Sequence, residues 1–88
     1  MPDPDQAAQL AQTALDQLIE EGELDRTWSV RAEFSVANQG YVALFRQLDP
    51  ATQVETAEIS VDFDPASEGA VESIKNHVYE WAEMSGGR

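Results

Sequence analysis

The sequence predicts an α+β fold of two layers, αβββα, in which a three-stranded antiparallel meander is covered on one face by two helices. Three observations carry this. The stretch Trp28-Ser29-Val30-Arg31-Ala32-Glu33-Phe34-Ser35-Val36 alternates apolar and polar residues without a fault, the period of two that a half-buried strand requires. Two further extended segments follow it across short turns marked by Gly40 and Pro50. A stripe of apolar residues at helical spacing lies on either side of the three, and these stripes are the available roof for the sheet's apolar face.

A chain of 88 residues supports one domain, 1–88. The expected bounds are a helix at about 4–21, strands at about 27–36, 41–48 and 53–63, a helix at about 65–84 and a tail at 85–88.

The first helix opens on Asp3-Pro4-Asp5-Gln6, with Asp3 as N-cap, Pro4 where a missing N–H costs nothing, and Gln6 placed to complete a capping box. Ala7, Leu10, Ala11, Ala14, Leu15, Leu18 and Ile19 form its buried stripe. Gly22 is the left-handed stop, giving a helix about 27 Å long. Glu20 and Glu21 then sit at its carbonyl end, where negative charge is unfavourable, and with Glu23 and Asp25 they make an acidic corner relieved only by Arg26.

The middle segment, Tyr41 to Leu48, is apolar on both faces, so its turns must decide which face is covered. A three-residue loop Asn38-Gln39-Gly40 places Val36 beside Val42 and Phe34 beside Leu44. A type I turn at Asp49-Pro50-Ala51-Thr52 pairs Asp49 with Thr52, and hence Leu44 with Ala57 and Val42 with Ile59. On that register Val42, Leu44 and Leu48 join Ala57, Ile59, Val61 and Phe63 on the core face, with Arg46 at the covered rim near Glu55. Tyr41, Ala43 and Phe45 then stand on the uncovered face among Arg31, Glu33, Val54, Thr56 and Glu58.

Asp64-Pro65 repeats the opening device and starts the second helix, whose buried stripe is Ala70, Val71, Ile74, Val78, Trp81 and Ala82. Glu68, Glu72, Asn76, Tyr79, Glu80 and Glu83 are expected outside. Gly69 weakens the first turns by up to about 1 kcal/mol, which favours a secure start only after it.

Chemistry is sparse. There is no cysteine, hence no disulfide, thiolate ligand or thiol nucleophile. His77, the single histidine, has no serine or carboxylate at a triad-like spacing. Asp62-Phe63-Asp64 with Glu68 lacks the ligand spacing and the glycine of a calcium loop, and Gly86-Gly87 follows a helix where a phosphate cradle must precede one. The expectation is a protein that is not an enzyme and uses neither metal nor cofactor.

Seventeen Asp and Glu against five Lys and Arg give a formal charge of −12, a field that repels nucleic acid and anionic membranes and attracts basic surfaces. The order αβββα resembles that of the double-stranded-RNA-binding domain. Such domains set basic residues against phosphates, where this chain has carboxylates, so direct nucleic-acid binding is not expected. The acidic opening and the short apolar runs predict a cytoplasmic protein without a secretory signal or membrane span.

The function that follows is a non-catalytic acidic module that occupies the basic, nucleic-acid-binding surface of a partner protein. Phage inhibitors of restriction or CRISPR enzymes, and immunity proteins, work in this manner. Its contact residues would be Glu20, Glu21, Glu23, Asp25, Asp62, Asp64, Glu68 and Glu72. The alternative is a structural or chaperone-like homodimer, joined through Tyr41, Phe45, Val54 and Glu58 on the open sheet face, with acidity serving solubility only.

Overall fold

The computed structural model describes residues 4–37 and 39–84, so the proposed N-cap Asp3 and the tail 85–88 lie outside it. The order is α1 (Pro4–Glu21), β1 (Trp28–Ser35), β2 (Gly40–Leu48), β3 (Glu55–Phe63) and α2 (Ala70–Met84). The strands form one antiparallel sheet in the order β1-β2-β3, and both helices pack on the same face of it. This is the α+β meander expected from the sequence.

α1 ends as its glycine requires. Gly22 has φ +85°, its N–H donates to Ile19 O at 3.1 Å and that of Glu23 to Leu18 O at 2.9 Å, the paired bonds of a Schellman cap. α2 starts later than its proline suggests. Asp64 Oδ1 accepts from Ala66 N at 2.9 Å, which shapes a turn, and Ser67 O then accepts from Ala70 N at 3.3 Å. Helix begins only beyond Gly69, where the backbone no longer carries a residue of poor helical propensity.

The two helices run side by side in the same direction. Gln6 Nε2 donates to Pro65 O (3.4 Å) near their starts, and Lys75 and Tyr79 reach Glu21 toward their ends. Between them and the sheet lies a single core. Ala7, Ala11, Ala14, Leu15 and Leu18 come from α1, and Ala70, Ile74 and Val78 from α2.

β2 faces the other way from the sequence expectation. Phe45 is 0% exposed, Ala43 is fully buried and Tyr41 is 8% exposed, whereas Val42 and Leu44 are half-buried on the open face. Phe45 lies between Val30 and Ile59, Ala43 between Ala32 and Val61, and Tyr41 between Phe34 and Phe63. Both turns are longer than a tight reading allows. Ser35 pairs with Gly40, so that the described residues 36, 37 and 39 belong to the first loop, with Gln39 at φ 52°. In the second, Gln53 N donates to Asp49 O (2.7 Å) and Asp49 N to Val54 O (2.9 Å), with Gln53 at φ 62°. Each hairpin is thereby shifted by an odd number of residues, and an odd shift exchanges the faces of a strand.

Three smaller corrections follow. Val36 is not on the core face but exposed in the first loop. Phe34 keeps its side of β1 but lies past the helical cover, 56% exposed, with its ring edge against Tyr41 at 5.4 Å. Arg46 does pair with Glu55 (Nε to Oε1, 2.7 Å), on the open face.

Candidate functional site

The turn after α1 gathers carboxylates because the Schellman cap folds the chain back on itself. Glu20, Glu21, Glu23 and Asp25 are all exposed there. Asp25 Oδ1 accepts from the Thr27 hydroxyl and from Thr27 N at 2.9 Å, and these bonds hold its carboxyl below the ordinary 3.8.

Glu21 is held by α2. Its Oε2 accepts from Lys75 Nζ at 2.5 Å and its Oε1 from the Tyr79 hydroxyl, while Gln17 Oε1 accepts from the same lysine at 3.0 Å. Glu72 Oε2 lies 3.8 Å from Lys75 Nζ. Lys75, 7% exposed, is thus consumed inside an acidic shell between the helices. The hydrogen bond to Lys75, then that to Tyr79, lowers the Glu21 pKa; the bond to Glu21 raises both Lys75 and Tyr79.

The signs set a pH window. The Glu21 contribution to stability is present above its ordinary value of 4.5 and is lost as pH falls through the lowered one. The Lys75 and Tyr79 contributions are present below their ordinary 10.5 and 10.0 and are lost as pH rises through the raised values. Lys75→Met is expected to lower the melting temperature clearly at neutral pH, and to flatten the acid limb of a pH series followed by circular dichroism. Adding Glu21→Gln restores part of the loss, because it removes the carboxylate left without its cation.

The other sequence-predicted acids lie elsewhere. Asp62 is on the open face opposite Val42, Asp64 is bonded to the Ala66 backbone, and Glu68 is in the turn before α2. This group sits near the start of α1, roughly 22 Å along that helix from Glu21. The structure brings Glu72 to the acidic corner through Lys75 and leaves Asp62, Asp64 and Glu68 at the opposite end. Of the residues expected on the open sheet face, Tyr41 and Phe45 are buried, Val54 is exposed in a turn, and Glu58 is exposed opposite Arg46.

Charge is divided unevenly between the layers. On the helices Asp5, Asp16, Glu20, Glu21, Glu72, Glu80 and Glu83 are all exposed, and the one cation they carry is the buried Lys75. Arg31 and Arg46 belong to the open face of the sheet, paired with Glu33 (2.9 Å) and Glu55.

Beside the acidic corner is an open cleft of about 910 Å³ between the α1–β1 turn and the end of α2. Trp28 and Trp81 meet in it edge to face, with centroids 5.8 Å apart and planes at 82°. Sequence reasoning missed the cleft and the lysine. Position 75 does fall on the buried stripe of α2 with Val71, Ile74 and Val78, a placement that demands a partner for its charge; the pairing of Trp28 with Trp81 has no local signal.

Among the described residues no group of three or more His, Asp or Glu is arranged to hold a metal ion, and no helix is long and apolar enough to cross a membrane. His77 is exposed, its Nδ1 3.2 Å from Ser73 O. Compared with known proteins, the chain matches no protein-family model, no curated protein and no solved structure.

Proposed function

We propose that this chain is a non-catalytic binding module whose helical layer docks on a basic, nucleic-acid-binding surface of a partner protein. The observation that supports it is the segregation of charge: exposed carboxylates along both helices with their one cation buried, and Arg31 and Arg46 turned to the other layer. Carboxylates fixed on rigid helices imitate a row of phosphates at little entropic cost, and a field of this sign speeds encounter with a basic groove. The acidic corner with Glu72 forms the centre of the contact, and Asp64 and Glu68 extend it to the far end.

The test is retention of a captured partner by immobilised protein in a salt series, with and without a DNA duplex as competitor. Retention is expected to fall steeply as salt rises and to be abolished by the duplex, since both occupy one surface. A variant carrying Glu72→Gln, Glu80→Gln and Glu83→Gln should lose the partner at lower salt than the parent. Retention indifferent to salt and duplex, or no basic protein captured at low salt, overturns the reading.

A further inference from the structure

The cleft beside the acidic corner has the make-up of a receptor for one flat cation. Its size lies within the range of about 300–1,000 Å³ typical of small-ligand sites. Its apolar wall is the half-buried indole of Trp81, backed at a right angle by the nearly buried Trp28, and indole is the aromatic ring with the strongest attraction for cations. Its rim carries three carboxylates, Glu23, Asp25 and Glu83, and no cation lines it among the described residues.

The remaining polar groups there are already satisfied. The Gln47 amide donates to Thr27 Oγ1 at 3.0 Å and accepts from Thr56 Oγ1 at 3.1 Å, and Asp25 is bonded to Thr27. The side chains of Glu23 and Glu83 have no hydrogen bond or ion pair among the described residues. An aromatic corner flanked by two uncommitted carboxylates complements a group that is flat, cationic and rich in N–H donors.

The geometry points to an arginine side chain of the basic partner as the occupant of this cleft, seated on Trp81 where Trp28 backs it and bonded by Glu23 and Glu83. This rests on the function proposed above and adds the residue type that anchors the contact. Arginine suits it better than lysine, because guanidinium is planar, weakly hydrated, stacks on indole and forks onto a carboxylate, while an ammonium is a compact and strongly hydrated point charge.

Trp28 and Trp81 are the only tryptophans, so emission from the full-length chain reports on the cleft alone. Hexa-arginine and hexa-lysine peptides, titrated at low salt, are the probes, with affinities also read by calorimetry. Hexa-arginine is expected to change the emission saturably and to bind about tenfold tighter than hexa-lysine. Glu83→Gln, an exposed change that spares the core, and Trp81→Leu should each erase most of that preference, while Asp16→Asn on the outer face of α1 should weaken both peptides alike. Equal binding of the two peptides with emission unmoved overturns the arginine site and leaves the acidic docking surface standing. Failure of both peptides to bind overturns both readings. An emission change that follows protein concentration without peptide overturns the site in favour of a second copy of the chain.

Discussion

Phe45→Ala is expected to remove about 3–5 kcal/mol of stability, the cost of deleting a fully buried aromatic ring and leaving its cavity. Phe45 is at the centre of β2, flanked by Val30 and Ile59 and fully buried in the core beneath the helical layer, so its neighbours have little freedom to collapse into the space. An 88-residue domain has roughly 4–13 kcal/mol in total, so this single change removes a large share of it. Urea titration gives the value. Leu44→Ala, one residue away on the open face, should shift the midpoint far less, and the reverse ranking of the two variants would place β2 with its faces exchanged.

Trp28→Ala is expected to cost a similar amount, about 3–5 kcal/mol, through a different part of the fold. Trp28 begins β1 and closes the core where the α1–β1 turn, β2 and the end of α2 converge. Its loss opens that end of the core beside the buried Leu24, and it removes the edge-to-face contact with Trp81, worth about 0.5–1.5 kcal/mol beyond buried area. Denaturant unfolding followed by far-UV circular dichroism measures the loss, and near-UV circular dichroism should lose the signal of the coupled indoles. Trp28→Phe keeps the apolar filling and is expected to retain most of the stability.

The elements with strong local punctuation were legible in the sequence. Pro4 and Gly22 bracket α1 at the observed bounds, and the alternation of β1 correctly set its inward residues as far as Ala32. β2 was misread because Tyr41-Val42-Ala43-Leu44-Phe45 offers apolar side chains to both faces, leaving only the turns to decide. Those turns are closed by Gln39 and Gln53 in the left-handed region, a conformation glutamine does not advertise, and Gly40, expected in the loop, is instead the first residue of β2. Exposure of the acids was legible from their helical phase, but their adjacency was not. Glu21 and Lys75 are 54 residues apart, and Trp28 meets Trp81 only because α2 lies parallel to α1.

That parallel packing has an electrical consequence. The peptide dipoles of α1 and α2 point the same way, so their negative poles, each equivalent to roughly half an elementary charge, fall at one tip of the molecule beside Glu20, Glu23 and Glu83. Neither helix has a basic residue in its last turn to offset its pole. In the field of a positive surface these two poles add to the pull on the carboxylates of this tip and favour approaches that present it, and the indoles beside it, first.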